Sequence, residues 1–202
     1  LPICIVEIFE SLQGEGYNTG MPAVFIRLGK CNLACAWCDT DYLTFQPMSL
    51  QDIHACLKNY TARNIIITGG EPTIQPHLET LLDSLKAADY KLCIETNGLN
   101  PVPPQIDYIA TSPKACYAEK YHKQCIDEAD EVRIVADGDM LAFCEAMERK
   151  IRARHYYLSP CEQNGEMNIY DTIRQIGLLN SRSDAPVHWQ LSVQTHKWAG
   201  IE

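Results

Sequence analysis

The run Ala23-Val-Phe-Ile-Arg-Leu28, closed by Gly29-Lys30, leads straight into Cys31-Asn-Leu-Ala-Cys35-Ala-Trp-Cys38. Apart from Arg27, the first six residues are small, β-branched, aromatic or aliphatic, which is a strand pattern. Working outward, comparable runs recur at 64–68, 91–95, 106–110, 131–135 and 155–158, and 187–191 fits a late edge strand. Longer stretches with helical periodicity lie between them, at 50–60, 77–88, 139–151 and 168–179. In the second of these, Leu78, Leu81, Leu82 and Leu85 share one helical face, as a core-facing helix requires. Residues 101–104 and 112–118 are less regular, and the pattern leaves open whether the latter holds a helix. Strands alternating with helices predict βα units around a mainly parallel sheet, hence an α/β fold.

The unusual residues share a topological position. The first strand is followed by the cysteine cluster and the second by Gly69-Gly-Glu-Pro72. Thr96-Asn-Gly98 follows the third strand, and Thr111-Ser-Pro-Lys114 follows the fourth. Ligands of α/β barrels and open sheets bind at the carboxyl ends of the strands, so four such loops on one rim predict one site.

A chain of 202 residues with net charge −9 can bury a real core and has no excess of the clustered Lys and Arg that grip a phosphate backbone. Direct nucleic-acid binding is not expected. No run of about 18 apolar residues exists, and the first ten residues lack the basic and apolar regions of a signal peptide. A soluble, cytoplasmic protein without membrane attachment is therefore expected. The ten cysteines then read as metal ligands or buried thiols rather than disulfides. Cys4, Cys56, Cys93, Cys116, Cys125, Cys144 and Cys161 are scattered singly and are expected to be small core residues.

Cys31, Cys35 and Cys38 are different: their C-x3-C-x2-C spacing puts three thiols in one short loop. Thiolates hold iron–sulfur clusters, usually four to a 4Fe–4S cluster. Three ligands leave one iron open to a substrate. Structural zinc is the competing metal, but it wants four ligands, usually as two paired spacings, and no second C-x2-C is present.

With Trp37 directly before the last cysteine, and with Gly-Gly-Glu-Pro after the second strand, the sequence resembles the radical S-adenosylmethionine superfamily. It is similar, within that superfamily, to the 7-carboxy-7-deazaguanine synthase family. That resemblance runs nearly end to end. It is carried by Phe9-Glu-Ser-Leu-Gln-Gly-Glu-Gly16, Phe25-Ile-Arg-Leu28, Cys38-Asp-Thr40, Ile67-Thr-Gly-Gly-Glu-Pro72, Glu95-Thr-Asn-Gly98, Ser112-Pro-Lys114 and Val193-Gln-Thr-His-Lys197. It implies one radical S-adenosylmethionine domain spanning 1–202: an N-terminal hairpin and substrate-binding turn over 1–22, and an incomplete (β/α)6 barrel, open on one side, over 23–202. It implies conversion of 6-carboxy-5,6,7,8-tetrahydropterin to 7-carboxy-7-deazaguanine with loss of ammonia, in queuosine and deazapurine biosynthesis. The cofactors implied are a 4Fe–4S cluster, S-adenosylmethionine and Mg2+. The partners implied are a flavodoxin or ferredoxin as electron donor and a second copy in a homodimer.

The site residues follow by resemblance. Cys31, Cys35 and Cys38 are the catalytic cluster ligands. Trp37, Gly70, Glu95, Ser112, Pro113, Lys114 and the stretch Ser159, Pro160, Cys161, Glu162 would meet S-adenosylmethionine. Leu12, Gln13, Gly14, Glu15, Arg27, Thr68 and His196 would meet the substrate, with Lys197 and Glu202 near them. Thr40 would bind Mg2+. The residue types suit these roles. Gln13 offers a donor and an acceptor to a pterin edge, Glu15 can meet the guanidine-like edge, and Arg27 can fork onto a carboxylate. Taken alone, Leu12–Gly14 is equally a simple turn, Arg27 a surface ion pair, Thr40 a helix cap, Thr68 a strand end and His196 part of a surface tail. Where family members often carry Leu-Gln-Pro, this chain has Leu158-Ser-Pro160.

Two other readings compete. A glycyl-radical-enzyme activating enzyme would share the cysteine loop but not the Leu-Gln-Gly-Glu-Gly start or the Gln-Thr-His-Lys tail. A non-catalytic iron–sulfur electron carrier would bring a fourth cysteine ligand.

Overall fold

The first strand, β1 (Ile3–Leu12), runs antiparallel to β2 (Pro22–Leu28). This is a computed structural model, and it describes residues 2–39, 41 and 43–202. A short strand, β3 (Gln46–Met48), pairs with the outer edge of β1. Helix α1 (Leu50–Leu57) follows, started by a capping box in which Ser49 and Asp52 satisfy each other's backbone N–H. The chain then alternates: β4 (Asn64–Gly69), α2 (Leu78–Ala87), β5 (Lys91–Thr96) and β6 (Tyr108–Thr111). Next come a 3-10 turn at Ala115–Tyr117 and α3 (Ala118–Lys123), so the irregular 112–118 stretch does lead into a helix. After β7 (Glu131–Ala136), α4 (Leu141–Lys150) and β8 (His155–Pro160), a small hairpin of β9 (Glu162–Gln163) and β10 (Glu166–Met167) precedes α5 (Ile169–Asn180). The last elements are β11 (Trp189–Leu191) and α6 (Thr195–Ala199).

The main sheet has the order β11-β8-β7-β6-β5-β4-β2-β1-β3. Every neighbouring pair from β2 to β11 is parallel. β3 and β11 are different strands at opposite edges, so the sheet does not close, and the expected incomplete barrel is what forms.

Strand alternation sorts the residues between two layers. One face sends Val24, Ile26, Leu28, Ile65, Ile67, Leu92 and Ile94 into a fully buried cluster against Leu81, Leu82 and Leu85 of α2. The same face of β7 and β8 sends Val132, Ile134, Tyr156 and Leu158 against Met147 of α4 and Trp189 of β11. Each such side chain contributes about 1.5–3 kcal/mol on burial. The other face carries Phe25, Arg27, Thr68, Glu95, Arg133, Val135 and Ser159, all of which line one cavity.

The isolated cysteines correct an expectation. Only Cys144 is buried; Cys116 is exposed and the other five are half-buried. Helix-facing strand positions are taken by larger aliphatics. Cys93, between Leu92 and Ile94, therefore falls on the same strand face as Glu95.

Candidate active site

The cavity has a volume of about 690 Å³ and opens at the carboxyl ends of the parallel strands. Its wall brings together most of the residues read from the sequence: Leu12, Gln13, Gly14, Glu15, Arg27, all three loop cysteines, Trp37, Thr68, Gly70, Glu95, Ser112, Lys114, Ser159, His196, Lys197 and Glu202. Pro113, Pro160, Cys161 and Glu162 lie outside that wall. Pro113 and Pro160 are buried behind it. Cys161 turns its thiol to the Ala136 carbonyl at 3.3 Å, and Glu162 is exposed in β9. Thr40 lies outside the described residues.

The cysteine loop is held from three sides. The Gly70 N–H donates to the Leu28 carbonyl and the Glu71 N–H to the Lys30 carbonyl, at 3.0 and 2.9 Å. The backbone at Gly70 comes so close to the Lys30 carbonyl that a Cβ there would overlap it, so only glycine fits. Gln75, buried, donates to the Gly29 and Lys30 carbonyls. Asn97 donates to Asn32, and the Tyr117 hydroxyl both receives from the Ala34 N–H and donates to the Ala34 carbonyl. Glu71 ties this frame together. Its carboxylate accepts from the Thr73 hydroxyl, the Thr96 hydroxyl and the Asn97 N–H at 2.6, 2.7 and 2.7 Å.

Trp37 donates its indole N–H to Asp137 at 2.8 Å, and the Lys114 ammonium sits 4.7 Å from the Trp37 ring centroid. Burial holds the Lys114 ammonium below its ordinary range. Lys114 also donates to Ser112 at 2.9 Å.

On the opposite wall, the Gln13 amide donates to Glu95 at 3.0 Å. Glu95 also pairs with the Arg133 guanidinium. Glu95, read as a cofactor contact, is thus joined to the substrate turn. Burial, aided by Glu15 and Glu131 and opposed by Arg133, pushes its carboxyl up to about 7. Arg27 pairs with Glu7 at 2.6 Å and lies 5.8 Å over the Phe9 ring. The C-terminal helix closes this side: Thr195 donates through its N–H and its hydroxyl to the Gly14 carbonyl, and Lys197 pairs with Asp39 at 2.5 Å. The His196 ring fills the space where a Cβ on Gly14 would stand.

Three comparisons place this geometry among known proteins. A Radical SAM superfamily model matches residues 25–117. The chain is 82% identical to the 7-carboxy-7-deazaguanine synthase of Neisseria meningitidis serogroup B, over 98% of this chain and 93% of that one. The chain belongs to the 7-carboxy-7-deazaguanine synthase family. The Haemophilus influenzae synthase is 61% identical with the same coverage. The crystal structure of QueE from Escherichia coli superimposes with a TM-score of 0.70 at 28% identity, covering 96% of this chain and 94% of that one. A structure of TYW1 shares the fold, at TM-score 0.50 and 15% identity.

Radical S-adenosylmethionine synthases of this family use a 4Fe–4S cluster and S-adenosylmethionine, and the residues present fit both groups. Three thiols face one cavity from a tethered loop, and the Leu33 N–H already donates to the Cys31 sulfur at 3.4 Å. Among the described residues no three Cys, His, Asp or Glu side chains are gathered into a closed metal set. Burial pushes the Cys35 thiol up to about 12, with Lys114 opposing. For S-adenosylmethionine, the Ser159 hydroxyl is buried on the cavity wall without a hydrogen-bond partner among the described residues, and the Gly70 turn lets a ligand approach the backbone.

Several residues of the site escaped the sequence reading: Glu71, met there only within its Gly-Gly-Glu-Pro motif, and Asp137, Glu131 and Arg133. For the last two a signal existed. Glu131 and Arg133 are charges two apart in an otherwise apolar strand, and alternation sends both to the cavity face. Cys116 also stands closer to the site than its spacing suggests, since its thiol meets that of Cys35.

Proposed function

We propose that this protein converts 6-carboxy-5,6,7,8-tetrahydropterin to 7-carboxy-7-deazaguanine with loss of ammonia. The observation that carries the proposal is the convergence on one cavity of the cysteine loop and the Leu12–Glu15 turn. Bound at Cys31, Cys35 and Cys38, the cluster together with S-adenosylmethionine supplies a carbon-centred radical that exchanges one hydrogen atom with the substrate. The rest is done by the chain. Trp37, fixed by Asp137, and Lys114, Ser112, Gly70 and Ser159 orient the cofactor. Arg27 offers guanidinium donors to the substrate carboxylate. Gln13, Glu15 and Glu95 offer acceptors to the pterin's N–H edge, with Thr68 and His196 beside them. The C-terminal helix excludes water, which strengthens each of these contacts.

Mg2+ at Thr40, a flavodoxin or ferredoxin as electron donor, homodimerisation, a cytoplasmic location and a single domain over 1–202 belong to the same proposal. No helix among the described residues is long and apolar enough to cross a membrane.

The test is an anaerobic reaction of reconstituted protein with dithionite, S-adenosylmethionine, Mg2+ and the carboxytetrahydropterin, read by mass spectrometry. A product of the mass of 7-carboxy-7-deazaguanine, absent with Cys35→Ala, is the expected result. Cleavage of S-adenosylmethionine without that product would overturn the substrate.

A further inference from the structure

The inner face of the barrel buries one guanidinium among three carboxylates. Arg133, in β7, has a side chain only 6% exposed. Its Nη1 lies 3.1 Å from Glu15, its Nη2 pairs with Glu95, and its Nε faces Glu131 at 3.0 Å. Glu15 comes from the turn after β1, Glu95 from β5 and Glu131 from β7 itself. Glu131 is fixed in turn by the Tyr108 hydroxyl, which donates to it at 2.9 Å.

The turn after β1 rests on this group at three successive points. The Gln13 amide donates to Glu95, Glu15 pairs with Arg133, and Gly16, at φ +68°, lies where a Cβ would overlap the Glu131 carboxylate. The turn is therefore seated on Arg133 and its two neighbours, and its shape follows theirs. Core stability alone explains this poorly, because well-packed apolar residues serve as well as a buried ion cluster or better. The charge balance also points to a ligand. One guanidinium faces three carboxylates, which leaves surplus acceptor capacity on Glu15 and Glu95 at the cavity wall.

We propose that Arg133 is a positioning residue that sets substrate specificity. Its rigid fork holds Glu15, Glu95 and the Gln13–Gly16 turn so that two carboxylates stand side by side as acceptors for a ligand edge rich in N–H donors. This rests on the pterin reading above, since the guanidine-like edge of a pterin has that donor pattern. Arg133 itself, only 6% exposed at the cavity wall, is taken up by these carboxylates and transfers nothing.

The experiment compares reconstituted wild type, Arg133→Lys and Glu131→Gln. Arg133→Lys keeps the charge and loses the fork; Glu131→Gln keeps the size and loses the charge beneath it. With 6-carboxytetrahydropterin, Arg133→Lys is expected to raise KM by about 100-fold while kcat falls far less, as misplacement of a binding group predicts. Iron and sulfide content per chain is expected to stay at the wild-type level. Amide exchange, followed by mass spectrometry, is expected to speed up by about tenfold or more in residues 12–20 and nowhere else in the barrel. Glu131→Gln is expected to show the same pattern more weakly, and it decides the matter if Arg133→Lys does not fold. Unchanged KM and unchanged exchange in the turn would overturn the proposal. Exchange raised throughout the barrel would overturn it too, by making the role structural. If wild type yields no deazapurine while exchange still speeds up only in 12–20, the pterin reading falls and the positioning of the turn by Arg133 stands.

Discussion

Glu71 is a buried carboxylate and Glu95 a half-buried one, and the fold uses them in opposite ways. Glu71 is saturated with donors: one oxygen takes the Thr73 N–H and two hydroxyls, and the other takes the Asn97 N–H. A carboxylate is the only side chain that offers acceptors on both ends. In Glu71→Gln, whichever way the amide is flipped, its NH2 faces a backbone N–H and leaves it unsatisfied, at about 1–3 kcal/mol. The melting temperature of that variant is expected to drop by roughly 2–12 °C, read by calorimetry, since 1 kcal/mol shifts a chain of this length by about 2–4 °C. A drop below a degree would show that Glu71 is not the brace described. Glu95 takes fewer donors, the Gln13 amide and the Arg133 guanidinium, and is crowded by Glu15 and Glu131; burial raises its carboxyl from 4.5 to about 7. The folded protein therefore binds a proton here that the unfolded chain releases between those two values. Stability is lost as pH rises through that window, whereas the anion needed to accept from the substrate is gained. The expected outcome is a kcat/KM that rises through about pH 7 while the melting temperature falls, with both slopes flattened in Glu95→Gln. Gln13, Glu15, Glu131 and Arg133 are the groups that face Glu95, and an unchanged slope in the variant would show that Glu95 is not the group that titrates.

At the scale of elements, the parallel strands and their four rim loops were legible because they rest on local rules. Apolar β-branched runs make strands, their carboxyl ends collect ligands, and glycine marks a backbone that must come close. Helix α2 repeats its leucines every third or fourth residue, and those leucines are the buried ones. The elements missed are short ones whose existence depends on distant partners. β3 contains Pro47 and has no apolar pattern; it forms because β1 offers a free edge. Helix α6 begins where Thr195 reaches back to the Gly14 carbonyl, and no local signal announces that. In the site, the resemblance pointed to Arg27 and Gln13, which line the cavity, but nothing pointed to Asp137, because its role exists only once β7 ends beside the cysteine loop. The glycine rule yields a prediction at this scale. Gly70→Ala drives a Cβ into the Lys30 carbonyl, one residue before Cys31. Because backbone cannot yield as a flexible side chain does, the cysteine loop is expected to shift. Iron incorporation in Gly70→Ala is expected to fall well below the wild-type level while the far-UV spectrum is kept. Full iron content with full activity would mean that the turn tolerates the methyl group.

Across the whole molecule, the open barrel leaves its mouth to be closed by the two ends of the chain. The Gly16 N–H donates to Ser192 at 2.9 Å, Thr195 donates to the Gly14 carbonyl, and Ser11 donates to the carbonyl of Glu202 at 2.6 Å. Lys197 adds a bridge to Asp39, just after the cysteine loop. These contacts span sequence separations of 158 to 191 residues, so they tie the two ends of the chain together across the barrel mouth. The C-terminal segment is the piece whose loss is expected to leave the barrel intact, because the buried clusters contain nothing beyond Trp189. Ending the chain after Gln194 removes the Gly14 cap, the His196 ring and the Asp39 partner together. The expected variant folds with an unchanged far-UV spectrum and a normal iron content. Its KM for the carboxytetrahydropterin rises by about 100-fold, the usual scale for a displaced positioning element. Radical chemistry also needs a dry site, so the shortened protein is expected to cleave more S-adenosylmethionine per product molecule than the full chain. That ratio is measured by quantifying 5′-deoxyadenosine against deazapurine in the same reaction. If the ratio and KM both stay at the full-chain values, the segment is an ordinary surface tail, and the Leu12–Glu15 turn closes the cavity alone.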